Sequence, residues 1–129
     1  MIYNETLTGP FVTLKVMIYE PVQPGSPPDF EDIKAFIARG IADWSERGLA
    51  QRVVRVPFGL HHPMWVRDPN FDIANHLHHI ALPSPGNQQK LCDFISYILS
   101  MPLDRNRPLW DSWVVEGLEG GRIAWFCKM

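Results

Sequence analysis

Five histidines and two cysteines are the side chains in this 129-residue sequence best suited to chemistry near neutral pH. Imidazole ionises at about pH 6.5, where it can both take up and return a proton. Four of the histidines form two doublets, His61-His62 and His78-His79, and His76 lies two places ahead of the second. A histidine beside a substrate hydroxyl can serve as a general base. Metal binding is the other chemistry to weigh: on an extended strand, residues two apart face the same way. His76 and His78 could then share a face, with His61 or His62 as a third ligand for zinc or iron. No carboxylate stands at a diagnostic spacing to complete the set. The plainer reading makes all five packing or surface histidines, and no metal is assigned.

Cys92 and Cys127 match neither a CxxC redox pair nor a zinc pattern. They read as small buried hydrophobes in a reducing cytosol. Cys127, on an apolar strand with no histidine near it in sequence, reads as an inert thiol. There is no GxSxG nucleophile elbow, Walker phosphate loop or GxGxxG turn.

These side chains are carried by a chain organised around residues 102–113, PLDRNRPLWDSW. Pro102 ends a helical apolar pattern, because its ring blocks the next helical hydrogen bond. Arg107 precedes Pro108 and is driven to extended backbone. A polar crossing, 104–107, thus leads from helix to strand, and Asp104 is placed to pair with Arg105 or Arg107 through an arginine fork. Upstream, residues 11–19 alternate as a half-buried strand, with Val12, Leu14, Val16 and Ile18 on one face. Residues 21–28 hold four prolines and a glycine and read as a loop.

The spacing of Phe30, Ile33, Ile37, Ile41 and Trp44 predicts a helix over 29–44, capped by Asp29, with a stripe given to core rather than ligand. Gly40 weakens that helix and suggests close packing on a sheet. Short strands are expected at 51–56 and 64–66, then a turn at Asp68-Pro69-Asn70 and an extended piece over 75–82. Pro83-Ser84-Pro85-Gly86 breaks the chain. Asn87 caps a second helix with a stripe of Leu91, Phe94 or Ile95, Ile98 and Met101.

Residues 109–115 and 122–129 predict an antiparallel hairpin across Glu119-Gly120-Gly121. Trp113 and Val115 share one side with Leu109, while Trp110 and Val114 take the other. Beyond the turn, Ile123, Trp125 and Cys127 oppose Ala124 and Phe126. Strands apolar on both faces belong in the middle of a sheet. Residues 122–129 end in full run, so they are expected to leave an unpaired apolar edge, which marks Met129 as a truncation point.

Composition bounds the function. With 46% hydrophobic and 20% charged residues the chain can build a core. Fourteen acids against twelve bases give a net charge of −2 and no attraction to nucleic acid. No secretory signal opens the sequence, and charges such as Lys15 and Arg55 interrupt every apolar stretch well short of a membrane span. The expected location is cytoplasmic, with membrane contact peripheral at most.

The strings PLDRNRPLW, EGLEGGRIAWFCKM and VPFGLHHPMWVRDPNFDIANHLHHIALPSPG together resemble the bacterial wax ester synthase/diacylglycerol acyltransferase family. Pro108, Leu109 and Trp110 match its proline-leucine-tryptophan motif. The resemblance spans nearly the whole chain but only the first quarter to third of a complete member, so residues 1–129 read as the incomplete N-terminal part of the acyltransferase domain. It implies an α/β fold, part of a two-layer sandwich of the chloramphenicol acetyltransferase and condensation-domain type, with a mixed sheet and two main helices.

The resemblance also implies a reaction: transfer of a fatty acyl group from acyl-CoA to diacylglycerol or a long-chain alcohol, with a histidine of an HHxxxDG motif as base. No cofactor is implied, acyl-CoA being a substrate. That motif is expected just after Met129. After His61-His62 the Asp-Gly places hold Val66 and Arg67, and after His78-His79 they hold Pro83 and Ser84. No catalytic residue is therefore assigned within the chain. Pro108, Leu109 and Trp110 are taken as framework beside a substrate tunnel. Partners implied are fatty acyl-CoA, the acceptor lipid, the rest of the same chain and a membrane or lipid-droplet surface. The competing reading is a non-catalytic small domain that binds an acyl ligand or a partner strand. A carrier-protein condensation domain fits the PLDRNRPLW wording less well.

Overall fold

Strands with apolar side chains on both faces need cover above and below, and two such strands take the central places of the sheet. The computed structural model describes residues 12–21, 29–44 and 48–129. Along the chain run β1 (Leu14–Tyr19), α1 (Phe30–Trp44), β2 (Gln51–Val54), β3 (Met64–Arg67), β4 (Leu77–Ala81), α2 (Gln88–Ser100), β5 (Asp111–Glu116) and β6 (Ile123–Lys128). The main sheet is four-stranded and mixed, in the order β1-β6-β5-β4. β4 runs parallel to β5, and the other neighbours are antiparallel. β2 and β3 form a separate antiparallel ribbon. The mixed α/β fold with two helices agrees with the expectation. Phe11, residues 22–28 of the expected loop and the Trp44 side chain lie outside what is described.

Each helix covers one face. Leu91 and Ile98 of α2 bury against Trp113, Val115, Ala124 and Phe126, with both Phe94 and Ile95 packed at the margin. Phe126 stacks on Trp113 at 5.0 Å and meets Phe94 edge-on at 5.9 Å. On the opposite face, Phe30, Ile33 and Ile37 of α1 pack on Leu77, Val114 and Ile123. The expected caps form: Asp29 Oδ1 accepts from Glu31 N at 3.3 Å, and Asn87 Oδ1 accepts from Lys90 N at 3.0 Å. Met101 does not extend the α2 stripe, because it stands exposed beyond the last helical residue.

Three expectations are corrected. Residues 122–129 are not an open edge: β6 is hydrogen-bonded on both sides, and Thr13 and Met129 continue its ladder to β1 with bonds of 2.7 and 2.9 Å. The apolar edge is β1 instead. Its Val16, Met17, Ile18 and Tyr19 are exposed rather than half-buried, because the helices pack over β6, β5 and β4. Gly40 permits no close packing, since a β carbon there would meet nothing within 4 Å.

A glycine is indispensable elsewhere. Gly86, buried and at φ +30°, follows the break between β4 and α2, where a β carbon would lie 1.7 Å from the Gly117 carbonyl oxygen. The bonds Gly86 N to Pro83 O and Glu119 N to Gly86 O, both 3.1 Å, hold this crossing against the β5–β6 turn. In that turn Gly120 and Gly121 take positive φ, as the sequence required.

The buried polar residue that matters most to the framework is Lys128. Its Nζ donates to the carbonyls of Ile98, at 3.0 Å, and Met101 at the end of α2. A cation there satisfies orphan carbonyls and meets the negative end of the helix dipole. Lys128→Met keeps most of the volume but removes the donor. It is expected to cost about 1–3 kcal/mol in the full-length protein, the penalty of leaving buried acceptors unpaired, measured by urea unfolding against wild type. A loss below about 0.5 kcal/mol, typical of surface changes, would show that the amine does not support α2.

Candidate functional site

Strand alternation decides what the histidines can do, since successive side chains on β4 leave opposite faces of the sheet. His78 turns to the α2 face, stacks on Trp113 at 5.0 Å and places Nε2 3.5 Å from Asp111 Oδ1. His79 turns to the α1 face, where Nε2 lies 2.9 Å from Glu116 Oε1 and the ring stacks on Phe30 at 4.2 Å. The second doublet is therefore divided by the sheet. His61 and His62 are exposed on the loop between β2 and β3, with His61 Nδ1 3.1 Å from the His62 carbonyl.

His76, just ahead of β4, is buried. Its Nδ1 donates to the Trp110 carbonyl at 2.8 Å, which fixes the proton on that nitrogen. Its ring lies between Trp110, at 4.7 Å, and Phe71, at 5.5 Å. Asp111 Oδ1 is 3.7 Å from His76 Nδ1, so both His76 and His78 converge on one carboxylate that sequence spacing did not disclose. Among the described residues no three His, Cys, Asp or Glu side chains are grouped to hold a metal ion.

The connector is closed by its own hydrogen bonds. Asp104 Oδ1 accepts from Asn106 N at 2.9 Å, and Arg107 N donates to the Asp104 carbonyl at 3.2 Å. Arg107 reaches Asp104 through a single Nε contact of 3.6 Å, not a fork. Beyond it Pro108 is fully buried, Leu109 is half-buried and Trp110 is 5% exposed. Trp110 Nε1 donates to the Leu49 carbonyl at 2.7 Å.

Trp110 also separates two hollows. The larger, about 470 Å³, lies between α1 and the sheet and is walled by Ile37, Ile41, Trp110, Ser112, Trp125 and Cys127, reaching Met129. A second hollow of about 460 Å³ continues along α1, sharing Phe36, Ile37 and Trp125. On the other side of Trp110, Leu49, Gln51, Trp65 and Leu109 enclose about 300 Å³, again reaching Met129. The α1 stripe, read from sequence as core alone, thus also lines a cleft. Phe36, off that stripe and 70% exposed, was the available signal.

The cleft has the size of a small-molecule site and an almost wholly apolar lining. Ser112 Oγ is occupied by Trp125 Nε1, and no histidine lines any of the three hollows. Burial pushes the Cys127 thiol up from 9.0 to about 11, with the Asp111 carboxylate adding to the rise and Lys15 opposing it. It is a poor nucleophile, as the apolar strand suggested. Cys92, expected to be buried, is exposed on α2. The arrangement can hold an apolar chain near Met129; the charged side chains at its lining are Lys15 and, in its continuation along α1, Asp32, with no histidine among the described residues that line it.

Comparison with known proteins agrees with the fold and with the family resemblance. The family model for the wax ester synthase/diacylglycerol acyltransferase catalytic domain matches residues 1–129. A Mycobacterium tuberculosis (strain H37Rv) relative, named as a diacylglycerol O-acyltransferase, is 51% identical over 73 residues, covering 57% of this chain and 16% of its own. Another from that strain, of the same designation, is 40% identical over 105 residues, covering 81% of this chain and 22% of its own. The wax ester synthase/diacylglycerol acyltransferase of Marinobacter aquaeolei VT8 superposes with a TM-score of 0.75 at 28% identity, covering 99% of this chain and 31% of that one. The starter condensation domain of rhizomide synthetase, at 9% identity and a TM-score of 0.68 over 98% of this chain and 28% of that one, shares the fold. The chain spans less than a third of the length of each of these proteins.

Two outcomes follow from the site. Trp110→Ala is expected to cost about 3–5 kcal/mol in the full-length protein, a large-to-small change in packed surroundings. Thermal melting checks it, and a loss under about 1 kcal/mol would place the indole outside the framework. Alkylation by iodoacetamide at pH 8 should modify Cys127 about a hundredfold more slowly than a thiol at the ordinary value, with a rate still rising toward pH 11. Peptide mass spectrometry reads this, and parity with exposed Cys92 would refute the burial argument.

Proposed function

The chain belongs to the wax ester synthase/diacylglycerol acyltransferase family, and on that premise we propose that it is the N-terminal part of an O-acyltransferase that uses fatty acyl-CoA. The acceptor is diacylglycerol or a long-chain alcohol, so the product is a triacylglycerol or a wax ester. The single observation that best supports this reading is the apolar cleft between α1 and the sheet, which runs beside the buried Trp110 of the Pro108-Leu109-Trp110 motif to Met129.

The reaction needs one base and one dry channel. A histidine takes the hydroxyl proton while the alcohol oxygen attacks the thioester carbonyl carbon. The tetrahedral adduct then expels CoA as a thiolate, which receives the proton back. That base belongs to the HHxxxDG motif expected directly after Met129. The contribution of the residues described is to bed the acyl chain: Ile37, Trp110 and Trp125 exclude water from it. No described helix is long and apolar enough to cross a membrane; in this reading the acceptor is drawn from a membrane or lipid-droplet surface by peripheral contact.

The test is thioester release from a long-chain acyl-CoA, with and without hexadecanol or diacylglycerol. The full-length protein is expected to show acceptor-dependent turnover. Residues 1–129 alone are expected to show none above the uncatalysed rate. Acceptor-dependent turnover by residues 1–129 would overturn the placement of the base, and its absence from the full-length protein would overturn the reaction.

A further inference from the structure

The β2–β3 ribbon ends in the most exposed large apolar side chains of the described chain, Phe58 at 97% and Leu60 at 80%. Phe58 sits at φ 60°, ψ 12°, a left-handed conformation that bulky residues seldom adopt. Met64 and Trp65, on the return strand, are about half exposed. Nothing in the described packing repays holding an aromatic ring in water on strained backbone. Charge supplies the second half of the pattern. Residues 48–67 contain Arg52, Arg55 and Arg67 and no Asp or Glu. None of the three arginines forms an ion pair among the described residues. Of these, Arg55 is exposed beside the tip, whereas Arg52 keeps its Nε buried and Arg67 stands opposite Gln51 at the root. An aromatic and aliphatic tip beside an exposed, uncompensated arginine matches the interface of an anionic bilayer, where apolar groups enter the acyl boundary and guanidinium groups meet phosphates. At its root the ribbon adjoins the site, because Gln51 and Trp65 enclose the 300 Å³ hollow with Trp110 and Met129.

We propose that the loop between β2 and β3 is a lipid-surface anchor: Phe58 and Leu60 insert into an anionic lipid surface, and Arg55 beside them engages its headgroup phosphates. Docked in this way, the ribbon brings the hollow at its root toward the lipid from which an acyl acceptor is drawn. The inference deepens the acyltransferase reading only in that last step, and binding is measured without any turnover, so the two fail separately.

The experiment is co-sedimentation of the full-length protein with vesicles of phosphatidylcholine alone and of phosphatidylcholine mixed with phosphatidylglycerol. Binding is expected to the mixed vesicles and to weaken as salt is raised. Phe58→Ser with Leu60→Ser should reduce the affinity about tenfold or more. Arg55→Glu, at an exposed position remote from packing, should weaken it independently of any effect on folding. Equal binding by the Phe58→Ser/Leu60→Ser protein, or binding indifferent to phosphatidylglycerol and to salt, would overturn the proposal. So would self-association that the same substitutions abolish, since a second copy would then be the occupant of the tip.

Discussion

A buried ammonium must find oxygen, and in this chain the need is met where a central strand passes the end of a helix. Lys128 of β6 reaches the last carbonyls of α2, at Ile98 and Met101. That fixes where α2 stops, and with it the start of the connector. The connector then has a set path: Asp104 closes its turn on Asn106 and Arg107, and Pro108 is buried. Trp110 arrives with its indole hydrogen-bonded to Leu49 and its ring against His76. The wall between the hollows is therefore positioned from the opposite face of the sheet.

The two faces do different work for a reason rooted in alternation. On the α2 side, Trp113, Val115, Ala124 and Phe126 close a continuous core. On the α1 side, Val114, Ile123 and Leu77 pack the helix, while the stretch from Trp125 to Met129 leaves room. Side chains one residue apart serve packing and cleft in turn, and the His78-His79 doublet is split in the same way. Each of its rings takes a carboxylate and an aromatic partner on its own face.

Much of this was legible in the sequence because it is local. Proline placement gave the limits of the connector, Asp29 and Asn87 announced helix starts, and glycines 120 and 121 marked the hairpin. Two-sided apolarity placed β5 and β6 at the centre. What failed was non-local. No periodicity says that β1 closes the open side of β6, so the edge was assigned to the wrong strand. Nor does spacing say that Asp111, more than thirty residues from His76, stands between it and His78. The cleft escaped for a related reason: Ile37 obeys the same helical spacing whether it meets another side chain or an empty channel.

Gly86 carries a consequence at the level of the gene. Its α carbon lies so near the Gly117 carbonyl that the space of one added carbon is already filled. Glycine codons differ from all others at the first or second base, so every missense change there adds at least a β carbon. Position 86 thus has no conservative neighbour in the genetic code. A lineage can alter it only after the 117 turn has moved, which makes the two glycines an ordered pair in any mutational path.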